Sequence, residues 1–332
     1  MDKGFYVAFE NRFRGSEELI KERQKKYLKF INPLKEIKNE VNVLDIGCGR
    51  GEWLDLLLEN GFKAKGIDID DDMIELSLGK GFDVEKSDAI SKLKSLGDNS
   101  IDIITAFQVV EHMEFSDVLE ICKEAMRVLS PCGILILETP NPENIMVSTQ
   151  LFYLDTTHKK PIPCELLAFT TEYCGFERNF IFKTNEKEFT RYKFNVTIFD
   201  VFEGVSPDYA IIAQKNGEQK NIFDEAFIVS AGVNLAQISK SYMDTIRLYN
   251  EHNEYAQRYM QLKEDFDGMK RSKSWRITKP LRIFTNFAKK VIRRLKRYKS
   301  QLVGSCVKMP ISNGVDANLT KQELEIYNRL KR

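Results

Sequence analysis

The sequence predicts an α/β fold: a doubly wound, seven-stranded sheet with helices on both faces, followed by a long helical extension. The apolar run at residues 41–46 is followed by three glycines at alternate positions and then by a helical pattern of leucines. This order is typical of the first strand–turn–helix unit of such a sheet. Strand-like runs continue to alternate with helical patterns as far as residue 216. Residues 223–269 show no strand signal.

The first 40 residues are predicted to form a helical cap on a domain that extends to residue 216. Ser16 is suited to cap a helix, and apolar residues recur at helical spacing through residue 37. Arg14 lies beside Gly15 just before this helix, where its guanidinium could hold a carboxylate or a phosphate in a forked contact. A solvated helix entry is the alternative interpretation of this arginine.

The turn after the first strand is predicted to bind a nucleoside. Ligands of doubly wound sheets lie beyond the carboxyl ends of the strands, and glycines allow the turn to approach a ligand closely. Asp68 lies near the end of a second strand at residues 65–69, and it follows Asp45 by 23 residues. An acid at about this distance is suited to bind the hydroxyls of a ribose.

The remaining strands are expected in regular order along the chain. They are predicted at residues 82–84, 101–107, 134–137, 179–183 and 208–213. One helix is predicted to open at Asp70–Asp72, and another to span residues 115–129 and end at Pro131-Cys132-Gly133, a typical stop signal. Segments 108–113 and 138–142 follow the fourth and fifth strands, so we expect both to face the ligand cleft.

The glycine spacing distinguishes between kinds of nucleoside site. A dinucleotide site requires G-x-G-x-x-G, but position 52 is Glu52, and the spacing here is G-x-G-x-G preceded by Asp45. This pattern resembles the first motif of the class I S-adenosylmethionine-dependent methyltransferases. The resemblance covers residues 40–216, including a final hairpin, and it implies a Rossmann-like sheet with S-adenosylmethionine as the cofactor.

The resemblance also implies which residues contact the cofactor. In that family the glycine loop packs on the methionine part of the cofactor. The acid before the loop acts through the amino group of the cofactor. Asp88, after the third strand, is expected near the adenine amino group. The expected cofactor residues are Asp45, Gly47, Cys48, Gly49, Gly51, Asp68, Ile69, Asp88, Ala89, Phe107, Gln108 and Arg14.

A second, narrower resemblance concerns residues 152–161, whose sequence is FYLDTTHKKP. Together with residues 13–16, this segment looks like the methyltransferases of bacterial surface-polysaccharide assembly, including those that cap a growing O-antigen chain. The resemblance implies that the methyl acceptor is a sugar hydroxyl or a phosphate. Several of those proteins also carry a kinase domain, but no kinase motif occurs in this sequence.

The nature of the acceptor decides whether a catalytic base is needed. A phosphate is already anionic, whereas a sugar hydroxyl is a weak acid and requires a base, usually histidine. His158 is the first candidate, because Asp155 lies three residues earlier and is expected to orient the imidazole. His112 is the second candidate, and His252 lies in the helical tail, where a surface position is expected. No metal is predicted, because the six cysteines and three histidines show no zinc spacing.

Two further segments follow the catalytic domain. Residues 217–269 are predicted to form a long helix with an imperfect heptad seam, which predicts self-association or packing back on the catalytic domain. Residues 270–332 form a basic tail, with 14 Lys and Arg and no acid between Lys270 and Lys308. The chain outside Lys270–Lys308 therefore holds 36 bases against 49 acids, so we expect the tail to have an anionic partner.

The tail contains a basic amphipathic pattern at residues 281–302, which suits the surface of an anionic membrane. A solvated charged helix is the alternative. Residues 272–282 are similar to a segment at the ends of many bacterial glycosyltransferase chains, so a glycosyltransferase is a second expected partner. We expect no nucleic acid, because no recognised binding motif accompanies the basic residues.

Several general features indicate a cytoplasmic location. Scattered single cysteines fit a reducing compartment, and the sequence shows neither a membrane-span pattern nor a signal-peptide pattern. We therefore expect a cytoplasmic protein that is peripheral on the inner membrane and binds a glycan or lipid-linked glycan. Two alternatives to this function are a small-molecule O-methyltransferase and a non-catalytic scaffold that acts through its helical tail.

Overall fold

The computed structural model describes residues 12–13, 15–187, 195–228, 232–286, 289–290 and 292–293. The chain divides into two compact units, Met1–Asn250 and Glu251–Arg332. The first unit contains the complete sheet.

A seven-stranded sheet with the order β3-β2-β1-β4-β5-β7-β6 forms the centre of the first unit. Strands β1 to β5 are parallel, whereas β7 is antiparallel to both β5 and β6. The strands are β1 (Asn42–Ile46), β2 (Lys63–Asp68), β3 (Val84–Lys86), β4 (Ile101–Phe107), β5 (Leu129–Pro140), β6 (Arg178–Thr184) and β7 (Asp208–Gln214). The predicted seven-stranded, Rossmann-like fold is therefore confirmed.

Helices connect the strands and continue beyond the sheet. They are α1 (Glu17–Gln24), α2 (Leu28–Ile31), α3 (Leu34–Ile37), α4 (Glu52–Glu59), α5 (Asp71–Gly79), α6 (Ala89–Ser95), α7 (Phe115–Val128), α8 (Ile145–Thr149), α9 (Cys164–Tyr173), α10 (Ile198–Glu203), α11 (Asp224–Phe227), α12 (Leu235–Arg271) and α13 (Lys273–Ile277). Short 3-10 turns lie at Lys25–Tyr27, Val110–His112, Leu151–Leu154 and Lys220–Phe223.

The sheet has apolar residues on both faces, as its strand sequences predict. Ile103 belongs to the core cluster on one face and the adjacent Ile104 to the cluster on the other. Ile134 and Leu135 divide between the two clusters in the same way. All four side chains are fully buried, so helices must cover both sides of the sheet.

Two predicted element boundaries are corrected by the structure. The third strand lies at Val84–Lys86 and not at residues 82–84. The fifth strand starts at Leu129, so the predicted stop at residues 131–133 lies inside it. A register shift between Ile101 and Ile103 accommodates these extra residues, and Cys132 adopts a positive φ of 64°. A bulge therefore replaces the expected loop.

The predicted N-terminal helical cap is present from residue 17. Ser16 caps α1 by accepting a hydrogen bond from the backbone N–H of Leu19, as predicted. The helical stretch through residue 37 is divided into shorter pieces, α1 to α3 with a 3-10 turn. The fully buried Tyr27 packs against Trp53 and Phe107, with ring centroids 6.5 and 5.1 Å away. These contacts attach the cap to the sheet.

The long C-terminal helix begins later than predicted. It starts at Leu235, because Phe223 belongs to the core and Gly232 adopts a positive φ of 74°. Its first turns pack within the first unit through Ile238, which is 3% exposed and contacts a cluster of valines. Tyr249, further along the same helix, is 63% exposed. Self-association through this helix stays a prediction.

The described part of the second unit contains a local aromatic arrangement. Ser272 caps α13 by accepting a hydrogen bond from the N–H of Trp275. The Arg282 guanidinium lies 3.6 Å from the centre of the Trp275 ring, and Phe266 contacts the same ring edge-on at 6.2 Å. Of the predicted basic helix, residues 287, 288, 291 and 294–302 lie outside the described residues. No helix in the described part of the chain is long and apolar enough to cross a membrane.

Candidate active site

The glycine loop lies between β1 and α4 at the carboxyl edge of the sheet. The backbone N–H groups of Gly47 and Cys48 both donate to the carbonyl of Ile67, at 2.8 and 3.0 Å. Gly47 adopts a φ of 67°, and a Cβ atom there would lie 2.5 Å from Val109 Cγ2. Only glycine fits this position, since any side chain would force either the loop or Val109 to move.

Asp68 at the end of β2 stabilises the glycine loop. One of its carboxylate oxygens accepts the N–H of Gly49 at 3.0 Å, and the other accepts the N–H of Asp70 at 2.9 Å. Burial raises the pKa of Asp68, although these hydrogen bonds oppose the shift. The carboxylate therefore positions the loop, and its predicted contact with ribose would use the remaining lone pairs.

Asp45 is buried in β1 with 2% of its surface exposed. One carboxylate oxygen accepts the hydroxyl of Thr105 on the adjacent strand β4, at 2.6 Å. Cys48 is also buried, and burial raises the pKa of its thiol far above the ordinary value. A neutral thiol fits the loop as an apolar group.

Three further residues that were predicted to contact the cofactor lie at the neighbouring strand ends. Asp88 caps α6, where its carboxylate accepts the N–H of Ser91 at 2.9 Å, and this hydrogen bond lowers its pKa. Ile69 is 72% exposed directly after β2, while Ala89 is buried. A loop with three glycines, an acid at the ribose position and an exposed apolar side chain together fit the nucleoside part of S-adenosylmethionine. Arg14 lies outside the described residues.

Arg50, inside the glycine loop, is a structural residue that sequence reasoning missed. Its guanidinium forms a buried ion pair with Glu52 at 2.7 Å and donates to the carbonyl of Gly15 at 3.3 Å. Both charged residues are 5% exposed. The available signal was an arginine in the loop with an acid two residues later. Through its hydrogen bond to Gly15, Arg50 connects the loop to the N-terminal cap.

A cleft of about 380 Å³ lies next to the ends of β4, β5 and β7. Phe107 and Gln108, which were predicted to contact the cofactor, line this cleft. The other lining residues are Phe13, Ile20, Arg23, Gln24, His112, Glu138, Pro140, Val147, Leu151, Phe152, Leu154, Asp155, His158, Asn185, Pro207 and Asp208. The cleft therefore brings together both candidate histidines and Asp155, and its position suits the methyl acceptor.

His158 is held in one tautomer by the backbone. Its Nδ1 lies 2.6 Å from the carbonyl oxygen of Phe152, and a carbonyl can only accept, so Nδ1 carries the proton. The ring also packs against those of Phe152 and His112, at 4.5 and 4.6 Å between centroids. In the neutral imidazole, Nε2 therefore holds the lone pair that a general base requires.

The expected role of Asp155 is corrected by the structure. Its carboxylate lies 3.9 Å from His158 Nε2, which is too far for a hydrogen bond, so Asp155 does not orient that ring directly. It accepts both the N–H and the hydroxyl of Thr157, at 2.8 and 2.6 Å. Burial acts in the opposite direction, but these two hydrogen bonds from Thr157 lower the pKa of Asp155.

Thr157 connects Asp155 to the second histidine. The Thr157 hydroxyl lies 2.8 Å from His112 Nδ1 and donates its single proton to Asp155. The Nδ1 of His112 must therefore donate to Thr157, which fixes this tautomer as well. Both rings thus carry their proton on Nδ1.

Glu111 has a fully buried carboxyl group next to His112 and His158. The Thr139 hydroxyl donates to its Oε2 at 2.9 Å, while Oε1 has no hydrogen-bond partner in the described part of the chain. Burial raises the pKa of Glu111 to about 8, so the carboxyl is mostly protonated at neutral pH. Ligand-type atoms of Glu111, His112 and His158 lie within 4.8 Å of one another, so these three residues could hold a divalent cation.

Sequence comparison identifies the class of protein that this fold and loop define. A family profile described as a methyltransferase domain matches residues 19–161. A crystallised S-adenosylmethionine-dependent methyltransferase from Archaeoglobus fulgidus is 36% identical, with a TM-score of 0.57. The match covers 64% of this chain and all of that chain. The chain belongs to the S-adenosylmethionine-dependent methyltransferases, and the predicted cofactor is confirmed at the level of the family.

Two curated relatives match shorter segments. A probable S-adenosylmethionine-dependent methyltransferase of Mycolicibacterium smegmatis is 31% identical over 136 residues, 41% of this chain and 52% of that protein. A ubiquinone biosynthesis O-methyltransferase of Rickettsia bellii is 29% identical over 108 residues, 31% of this chain and 43% of that protein. The chain thus spans about half the length of the curated relatives that it matches.

Proposed function

We propose that the protein transfers a methyl group from S-adenosylmethionine to a hydroxyl oxygen of an acceptor in the cleft, with His158 as the general base. The observation that carries this proposal is the hydrogen bond between His158 Nδ1 and the Phe152 carbonyl, which leaves the lone pair on Nε2. An anionic acceptor would need no such base, whereas a hydroxyl does.

The chain's own residues provide binding, orientation and proton transfer. S-adenosylmethionine, when bound, supplies an electrophilic methyl group on its sulfonium, and the glycine loop with Asp68 would hold it. His158 takes the hydroxyl proton at Nε2. The resulting imidazolium lies 3.9 Å from the Asp155 carboxylate. At this separation the attraction is about 4 kcal/mol in a surface-like dielectric, so the proton transfer becomes easier. Glu111 Oε1 lies 4.0 Å from the same Nε2 atom, but burial raises the pKa of Glu111 to about 8, so this carboxyl contributes less negative charge than Asp155 at neutral pH.

His112 is the second candidate for the base. Its proton on Nδ1 is directed to Thr157, so its Nε2 also holds a lone pair. Its ring lies only 4.6 Å from that of His158, and both line the cleft. We favour His158, because its backbone hydrogen bond fixes the ring without an intervening side chain.

Transfer of labelled methyl from S-adenosylmethionine to acceptors in glycan extracts tests this proposal. We expect His158→Ala to bind the cofactor normally and to lose turnover by roughly 10²–10⁴-fold, the usual contribution of a general base. His252→Ala is the matched control, because His252 is exposed on α12 and should keep full turnover. Near-normal turnover of His158→Ala would assign the base to His112 or require an anionic acceptor.

For the acceptor, we favour a sugar hydroxyl of a surface polysaccharide such as an O-antigen. The segment at residues 152–161 supports this choice, since Phe152, Leu154, Asp155 and His158 all line the cleft. A small-molecule O-methyltransferase is the second candidate, supported by the similarity to the Rickettsia ubiquinone biosynthesis enzyme. Methyl transfer to defined oligosaccharides, compared with transfer to catechols, distinguishes between them.

We further propose that residues 270–332 attach the enzyme to the cytoplasmic face of an anionic inner membrane, near a glycan or lipid-linked glycan substrate. The excess of basic residues between Lys270 and Lys308 supports this location. A glycosyltransferase partner and self-association through α12 are the alternatives for this region. Binding to a protein partner would depend little on lipid charge.

A further inference from the structure

Besides the histidines, the cleft contains a group of oxygen atoms contributed by three strands. Glu138 lies near the end of β5, Asp208 at the start of β7 and Asn185 directly after β6. Because β7 is antiparallel to β5, its first residue lies at the edge where β5 ends, and Asp208 pairs with Pro140. The antiparallel connection thus adds a second acid to the cleft.

Both carboxylates are fixed by protein donors. The Gln108 side-chain amide donates to Glu138 Oε1 and to Asp208 Oδ1, at 3.2 Å each. The Tyr27 hydroxyl donates to the other oxygen of Glu138, and the Asn185 amide donates to Asp208 Oδ2 at 2.7 Å. Each carboxylate oxygen can accept two hydrogen bonds, so further acceptor positions remain for a ligand.

Gln24 independently indicates that the cleft binds a molecule with a hydrogen-bond donor. Its side chain is 6% exposed and lines the same cleft, and its amide oxygen has no hydrogen-bond partner in the described part of the chain. Buried acceptors are nearly always paired in native proteins, because an unpaired one loses its hydration without compensation. A ligand hydroxyl in the cleft would satisfy this oxygen.

The charges around the cleft favour a neutral ligand. Glu138, Asp208 and Asp155 line it together with Arg23, the one Lys or Arg among the described lining residues. Lys26 adds a second positive charge nearby, since its ammonium donates to the Asn185 side chain. Two cations therefore face three carboxylates, before any charge on the cofactor is counted. A phosphate or carboxylate would therefore meet the fixed carboxylates of Glu138 and Asp208, and Arg23 is the one described lining cation that could oppose this repulsion.

We propose that Gln24, Glu138 and Asp208 form a recognition subsite for a neutral acceptor with several hydroxyl groups, such as a sugar ring, and that they exclude phosphorylated acceptors. The proposal rests on the proposed function, because it assigns a substrate class to the same cleft. Two adjacent hydroxyls of the acceptor donate one hydrogen bond each to the carboxylates of Glu138 and Asp208. A third hydroxyl donates to the amide oxygen of Gln24. A sugar hydroxyl that remains near His158 is then the methylated group.

Binding of neutral and phosphorylated sugars to the full chain tests this subsite. The cofactor site is filled with S-adenosylhomocysteine to prevent turnover. The probes are the methyl glycosides of common hexoses and the 6-phosphates of the same sugars, with ligand NMR as the readout. We expect at least one neutral glycoside to bind roughly 10-fold or more tightly than its phosphate counterpart. Tighter binding of the phosphates, or binding of no neutral glycoside, would overturn the proposal.

Near-isosteric variants connect this preference to the named residues. Glu138→Gln and Asp208→Asn should each weaken glycoside binding by about 10-fold or more, the usual effect of losing a hydrogen bond to a charged group. Gln24→Met should weaken it too, yet raise the melting temperature, because an unpaired buried oxygen is removed. Glu172→Gln, on the exposed surface of α9, is the charge-matched control. Unchanged glycoside affinity in all three cleft variants would refute the subsite.

The two proposals fail in different ways. If glycosides bind through these residues but receive no methyl group, the subsite holds and the proposed reaction is wrong. If methyl transfer depends on His158 but goes to a phosphorylated or catechol acceptor, the reaction holds and the subsite is wrong. Cofactor affinity, measured for every variant, confirms that each protein is folded.

Discussion

Replacement of Glu111 by glutamine should change how the stability of the protein depends on pH. The carboxyl is fully buried, and only one of its oxygens has a hydrogen-bond partner in the described part of the chain. Burial raises its pKa from 4.5 to about 8. Glu111→Gln keeps the size and the neutral form of the side chain but cannot ionise. The variant therefore isolates the effect of this single titration.

The sign and the size follow from the shift in pKa. A pKa that is raised in the folded state gives a stabilisation that is fully present below pH 4.5 and is lost as the pH rises through 8. The full shift in pKa corresponds to about 5 kcal/mol of unfolding free energy, since each pKa unit is worth about 1.4 kcal/mol. Between pH 5 and pH 8, wild type should lose about 3–4 kcal/mol of unfolding free energy relative to Glu111→Gln.

Urea denaturation of both proteins at pH 5, 6.5 and 8 measures this difference directly. Asp208 also has a raised pKa, to about 6, because burial disfavours its charged form, but it titrates in both proteins and largely cancels. Glu172→Gln, exposed on α9, should stay parallel to wild type at every pH. A constant difference between wild type and Glu111→Gln across this range would show that Glu111 is ionised at neutral pH. His158 would then have a second anionic neighbour.

Further predictions concern the cofactor site and the tail. Asp68→Ala should weaken S-adenosylmethionine binding by about 2–3 kcal/mol in calorimetry, because ribose loses a charged acceptor; unchanged affinity would refute ribose recognition. Gly47→Ala should destabilise the fold by about 1–3 kcal/mol in urea denaturation, because its Cβ meets Val109; an unchanged midpoint would contradict the close approach. Deletion of residues 270–332 should abolish salt-sensitive sedimentation with anionic liposomes and keep cofactor binding; salt-independent sedimentation would refute the membrane proposal.

The glycine loop and its proximity to Asp68 could be predicted from sequence because their parts are local. Parallel strands end at one edge of the sheet, so an acid and a glycine turn at two successive strand ends must lie close together. Asp68 and Gly49, which are 19 residues apart, do form a hydrogen bond. The sequence could not reveal that the carboxylate also holds the loop, since backbone donors leave no residue signature.

The histidine site could be predicted only in part. His158 and Asp155 are close in sequence, and this proximity indicated a direct contact that the structure does not contain. The 3-10 turn at Leu151–Leu154 places a backbone carbonyl, that of Phe152, against the His158 ring instead. Asp155 reaches the other histidine through Thr157, 45 residues from His112. Spacing along a loop could not predict which polar groups the loop directs inward.

The acceptor half of the cleft depends on contacts between distant segments. Asp208 lies at the start of its strand and so carries none of the signals of a strand-end site; only the antiparallel pairing of β7 with β5 brings it beside Glu138. Gln24 belongs to a helix whose position depends on the packing of Tyr27 against Trp53. Local sequence therefore indicates the cofactor, whereas the proposed acceptor subsite is assembled by tertiary contacts. If the proposed subsite holds, substitutions at the N-terminal cap and at the ends of β5 and β7 should change the acceptor and leave the glycine loop intact.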